Sequence, residues 1–186
     1  MKNKKQKIAL LAVGLLLVVA IVSGLVQPYL KNKDVETIVP GRLQQDGKIP
    51  VPDFRFTDED GNTVQFDDFK GKPIVLNFWG TWCPYCVMEM DDFDKAVAEY
   101  GDKVNFLFLD VPDGEGETPA KVHEFLDDNG YKNIVSYYDT LGEGCYVFGL
   151  SSFPTTIYID ADGNLFDAAI GMTSYDEIKL IVDSML

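Results

Sequence analysis

The chain has 186 residues, with 16 Lys and Arg against 30 Asp and Glu and a formal net charge of −14. So acidic a balance excludes a nucleic-acid partner, because phosphate contacts need Lys and Arg. Three cysteines exclude a disulfide-dense scaffold and a four-cysteine zinc site, and the single histidine, His123, excludes multi-histidine metal chemistry.

Ile8 to Val26 carries no charge. As a helix it spans about 28 Å at ~1.5 Å per residue, close to the apolar thickness of a bilayer. Lys2, Lys4, Lys5 and Lys7 precede it, and Lys31 and Lys33 follow, so the positive-inside rule puts the N-terminus in the cytoplasm and the rest outside. The alternative is a cleaved signal peptide, for which Val22-Ser23-Gly24 is the best weak site. The expected organisation is a cytoplasmic tail (1–7), a single-pass membrane anchor (8–26), a linker (27–49) holding Pro28, Pro40, Gly41 and Gly47, and one folded domain (50–186). All 30 acids lie at or after Asp34, together with ten of the 16 bases. The external part is therefore far more acidic than the average over the chain.

Within 50–186 the pattern alternates strands and helices. Phe54–Thr57 and Thr63–Phe66 flank Asp60-Gly61-Asn62 as a short hairpin. Pro73–Trp79 (PIVLNFW) is a continuous apolar run of strand length, the pattern of a strand buried on both faces. Cys86, Met90, Phe93, Val97 and Tyr100 then recur on one face of a helix. Val104–Val111 is a second buried strand. Thr118-Pro119 places an N-cap and a first-turn proline at the start of a helix reaching about Asn129. A short strand at Ile134–Tyr138 and a short helix at Gly142–Phe148 follow. Thr155–Ile159 and Asn164–Ala169 form a hairpin around Asp160-Ala161-Asp162-Gly163. Ser174 and Glu177 form a capping box that opens the last helix. This order predicts an α/β domain, a mixed sheet with helices on both faces.

The chemistry concentrates in Trp82-Cys83-Pro84-Tyr85-Cys86. Cys83 falls at a helix start after a buried strand, where free backbone N–H groups and the helix dipole stabilise a thiolate. That predicts Cys83 as the exposed nucleophile. Cys86, one turn on and in line with Met90 and Phe93, is the buried resolving thiol that releases a mixed disulfide. The other origin of a CxxC, half of a zinc site, lacks a second CxxC or CxxH. Such thiol chemistry calls for no bound cofactor and no metal.

The segment Asn77-Phe78-Trp79-Gly80-Thr81-Trp82-Cys83-Pro84-Tyr85-Cys86 resembles the active site of the thioredoxin fold, and Phe153-Pro154-Thr155-Thr156 resembles its cis-proline loop. The chain is most similar to extracytoplasmic, membrane-anchored thioredoxin-like proteins of the TlpA/ResA type, over about residues 50–186. The resemblance implies an N-terminal hairpin before the core fold and an inserted helix after its second strand. It also implies a cis peptide before Pro154 facing the cysteines, X–Pro being the bond where cis is accessible. Its free strand-edge backbone would pair with an extended substrate beside Cys83. Thioredoxins proper carry a buried Asp where Asn77 stands here. ResA-type proteins carry a glutamate at the place of Glu89, and the resemblance implies that Glu89 handles protons for the cysteine pair. The Pro84-Tyr85 pair departs from the acidic-residue-then-Pro pattern of that subgroup and leaves the direction of electron flow open.

What the resemblance implies is a thiol–disulfide oxidoreductase. It would reduce disulfide-bearing exported proteins, in apocytochrome c maturation or methionine sulfoxide reductase recycling. Its electrons would come from a membrane donor of the CcdA/DsbD type. A disulfide-forming oxidant on the same fold is the alternative. A thiol peroxidase and a Sco-like copper chaperone fit less well, because Thr81-x-Cys83 is one residue short and the cysteine spacing is two rather than three. Trp82, Pro84, Tyr85, Phe153 and Pro154 are the expected substrate-facing residues. Cys145 reads as a small hydrophobe, or else as a third redox thiol. His123 reads as exposed, and Phe78, Trp79, Phe106 and Phe108 as core.

Overall fold

The structure, a computed structural model, describes residues 47–114 and 116–186. The expected tail, anchor and nearly all of the linker lie outside the described residues. Among the described residues no helix is long and apolar enough to cross a membrane.

Among the described residues seven strands form one mixed sheet. They are β1 (Arg55–Thr57), β2 (Thr63–Gln65), β3 (Ile74–Trp79), β4 (Asn105–Asp110), β5 (Ser136–Tyr138), β6 (Thr155–Ile159) and β7 (Leu165–Ile170), in the order β2-β1-β5-β4-β3-β6-β7. The central β3 is buried along its whole length and pairs parallel to β4 and antiparallel to β6. That dual burial is why its sequence shows no alternation. The helices are α1 (Pro84–Tyr100), α2 (Pro119–Asn129), α3 (Glu143–Phe148) and α4 (Tyr175–Met185). Element order and type agree with the sequence pattern, with ends displaced by a residue or two. A 3-10 turn at Phe66–Phe69, following β2, was not foreseen.

Successive residues of β3 face opposite sides of the sheet. Val75 and Trp79 point to the side where Cys83, Cys86, Met90 and Phe93 join Val122, Leu126, Ile178 and Val182 in one apolar cluster. Phe78 points the other way, toward α3: its ring meets Phe148 edge-on at 5.7 Å, and Gly144 leaves no room for a Cβ beside it. Cys145, on α3, therefore lies across the sheet from Cys83 and Cys86. It is free and partly buried, and burial pushes its thiol up to about 12, aided by Asp139.

The buried face of α1 runs Cys86, Glu89, Met90, Phe93, Ala96 and Tyr100. Ala96 takes the place expected of Val97, which is only partly buried. Phe106 is also partly buried rather than core, whereas Phe78, Trp79 and Phe108 are buried. His123 is exposed on α2, near Glu59 and Asp127. The caps are as the sequence predicts. Thr118 accepts from the Lys121 N–H, and Ser174 with Glu177 completes a capping box.

Candidate active site

The C-terminal end of β3 delivers the chain into a tight turn. Cys83 N–H donates to the Gly80 carbonyl at 3.1 Å, and Cys83 is the N-cap of α1 with Pro84 in the first turn. Cys83 and Cys86 form a disulfide with their Cα atoms 5.2 Å apart. The Cys86 N–H points at Cys83 Sγ, 3.2 Å away. A thiolate formed at Cys83 thus has a backbone donor and the helix N-terminus aimed at it, the arrangement that lowers a cysteine pKa.

One expectation fails here. Cys83 is not exposed: it is 4% accessible, and Cys86 is fully buried. Cys83 belongs to the same apolar cluster as Trp79 and Met90, with Phe153 packed against that cluster. With the disulfide closed, its sulfur is turned toward Cys86 rather than toward solvent. The difference between the two thiols is one of degree, with Cys83 the nearer to the surface.

The surroundings come from three distant segments. Trp82 folds its indole back over Gly80, where a Cβ would sit 2.3 Å from Nε1, and donates through Nε1 to the Val111 carbonyl at 2.9 Å. Its ring meets Phe153 edge-on at 5.6 Å. The Phe153–Pro154 peptide is cis. Pro154 is buried and its carbonyl accepts from Gly171 N–H, while Phe153 is half-buried and Trp82, Pro84 and Tyr85 are exposed.

Glu89 is buried more completely than the edge of a core stripe would suggest, at 1% accessible. Two donors hold it. Asn77 Nδ2 reaches Oε1 and Thr173 N–H reaches Oε2, each at 2.9 Å. Asn77 also donates to Thr156 Oγ1. Burial pushes the Glu89 carboxyl up to about 7 against the pull of those two hydrogen bonds. Glu89 and Cys86 are three residues apart on one helical face, so a carboxyl titrating near neutrality stands next to the inner sulfur.

Sequence reasoning missed a second acidic element. Glu117 accepts from Thr81 N–H at 2.6 Å and from Thr81 Oγ1 at 2.7 Å, two residues before Cys83, and pairs with Lys121 at 3.0 Å. Asp110, at the end of β4, is 1% accessible and neighbours Glu117. Nothing local marks Glu117 as a site residue. Asp110 carried a signal, being a carboxylate closing an otherwise apolar strand at the carboxyl edge where α/β sheets place their sites. Among the described residues no cluster of His, Cys, Asp and Glu has the makings of a metal site.

Comparison with known proteins fits this geometry. The Redoxin family model matches residues 45–177. The thiol-disulfide oxidoreductase ResA of Bacillus cereus is 31% identical over 148 residues, covering 77% of this chain and 83% of that protein. The exposed lipoprotein thioredoxin Etrx1 of Streptococcus pneumoniae is similar in structure, with a TM-score of 0.62 and 30% identity over 72% of this chain and 99% of that one. A DsbF homologue from Corynebacterium diphtheriae gives a TM-score of 0.65 at 25% identity, over 80% of this chain and 98% of its own.

Proposed function

The chain belongs to the Redoxin family, as a thiol–disulfide oxidoreductase of the ResA type, and from that premise we propose that it is a reductant of exported proteins. In this reading residues 8–26 tether it to the outer face of a bacterial cytoplasmic membrane. Cys83 attacks a substrate disulfide, forming a mixed disulfide and expelling the substrate's other sulfur as a thiolate. Cys86, losing its proton to Glu89, then attacks Cys83 Sγ. That step releases the second substrate thiolate and leaves the Cys83–Cys86 disulfide. A membrane donor of the CcdA/DsbD type returns two electrons. The substrates in view are apocytochrome c haem-site cysteines or a methionine sulfoxide reductase.

The observation that best supports the roles of the two cysteines in this reading is the asymmetry of their surroundings. Cys83 caps the helix with a backbone N–H on its sulfur, and Cys86 is sealed beside a carboxyl that titrates near neutrality. Trp82, Pro84, Tyr85 and Phe153 supply an apolar rim for the substrate. Backbone pairing with an extended substrate falls to Phe153, since the Pro154 carbonyl is taken by Gly171. Trapping tests the assignment: the full chain carrying Cys86→Ser accumulates mixed disulfides through Cys83, and Cys83→Ser accumulates none. The reverse pattern overturns it. The reduction potential separates reductant from oxidant, because a value well above the thioredoxin range fits an oxidant only.

A further inference from the structure

Beneath the turn that carries Cys83 lie two carboxyl groups that the exchange chemistry does not use. The Glu117 side chain is fully buried and is gripped by Thr81 N–H, Thr81 Oγ1 and Lys121. Burial raises its pKa, but those bonds together with one from Asp110 outweigh it and hold Glu117 below the usual carboxylate range. Asp110 is different. Its Oδ2 is buried and no N–H or O–H donor reaches it. Its neighbour Glu117, as a carboxylate, can only accept, so the two groups meet through a hydrogen bond only when Asp110 carries a proton. The charged or titratable groups facing Asp110 are Glu117 and Asp113 from the connection after β4, Lys121 from α2 and Tyr138 from β5. Only Lys121 is positive, and it is already paired with Glu117.

We propose that Asp110 and Glu117 are positioning residues for the exchange reaction: they share one proton, and the shared proton keeps Glu117 clasped on Thr81 so that the 80–83 turn presents Cys83. Neither group touches substrate. When the proton leaves, two like charges are buried side by side, the bond between them is lost, and a second negative charge arrives under the turn. The pair closes the clasp at neutral pH and loosens it in alkali. Burial, followed by Glu117, pushes the Asp110 carboxyl up to about 8, in keeping with that range.

This rests on Cys83 being the attacking thiol, and the test separates the two claims. In the full chain carrying Cys86→Ser, the rate of Cys83 alkylation is measured from pH 6 to 10 with neutral iodoacetamide and with anionic iodoacetate. The ratio of the two rates cancels the thiolate fraction and reports charge near the sulfur. The iodoacetate-to-iodoacetamide ratio is expected to fall about 3-fold between pH 7 and 9, as a charge arrives nearby. Asp110→Asn keeps a donor for Glu117 and removes the Asp110 titration, so the fall shrinks to the part that Glu89 alone produces. Glu89 titrates in both proteins, so the difference between their ratios isolates Asp110. Glu117→Gln removes the like charge, so the fall moves to below pH 7. A ratio that stays flat in the parent, or one that falls equally in Asp110→Asn, overturns the proposal. If Cys86 alkylates faster than Cys83 in the reduced, unsubstituted chain, the assignment of the nucleophile fails, while the step in the ratio still reports the proton shared by Asp110 and Glu117.

Discussion

At the scale of single residues, the site works by burying groups that would rather be wet. Glu89 is the clearest case, a carboxyl inside the core held by Asn77 and Thr173. Its folded pKa is raised from the ordinary 4.5 to about 7. Folding therefore favours the protonated form. That contribution to stability is complete below about pH 4.5 and is lost as pH rises through 7. Thermal melting should show the parent chain losing stability between pH 5 and 8, on the order of a few kcal/mol. Glu89→Gln should lose distinctly less over that interval, and equal losses would remove Glu89 as the cause. Asp110 adds a similar loss extending to higher pH, since burial and Glu117 raise it to about 8. Gly80 poses a steric question instead. A methyl group there would collide with the Trp82 indole. Gly80→Ala should displace Trp82, break its bond to the Val111 carbonyl and shift the Trp emission, with thiol exchange slowed about 10-fold. Unchanged emission would contradict the contact.

At the scale of elements, a few segments distant in the chain deliver the components of the site to one place. β3 brings Asn77 and the 80–83 turn, α1 brings both thiols and Glu89, and the loop before α4 brings the Thr173 N–H. The capping box on α4 begins at Ser174, next to Thr173. Ser174→Ala should lower stability by about 1 kcal/mol, the usual effect of losing an N-cap. It should also loosen the Thr173 donor. That bond lowers the Glu89 pKa, so weakening it should move the Glu89 titration upward. Denaturant unfolding reads the first effect and a carboxyl NMR titration the second. A stability loss with no movement of Glu89 would show that cap and carboxyl are uncoupled. The short α3 contributes nothing to the thiol pair, because it packs on the other side of β3. On that geometry Cys145 is a packing residue rather than a third exchanging thiol.

At the scale of the whole molecule, electrostatics opposes compactness. Thirty acids against 16 bases leave a net charge of −14, and self-repulsion of that kind is relieved by screening. Raising NaCl from about 0.01 to 0.5 M should raise the melting temperature by a few degrees. A fall would mean that ion pairs such as Arg55–Glu143 and Lys179–Asp183 outweigh the repulsion. The same charge suits a basic protein partner and disfavours an anionic surface.

The sequence by itself determined the order of strands and helices, the caps at Thr118 and Ser174, and the position of Cys83 at a helix start. These follow from local periodicity and from backbone groups that neighbouring residues must satisfy. The resemblance carried by Cys83–Cys86 and Pro154 added the fold and the chemistry. Only the tertiary structure decided that Cys83 is nearly closed off, that Glu89 is sealed by a donor 84 positions away, and that Cys145 is cut off by the sheet. It alone brought Glu117 under Thr81, 36 residues away in the chain. Contacts of that range leave no periodic trace in a sequence, because they are set by which sheet face and which strand end each segment reaches on folding.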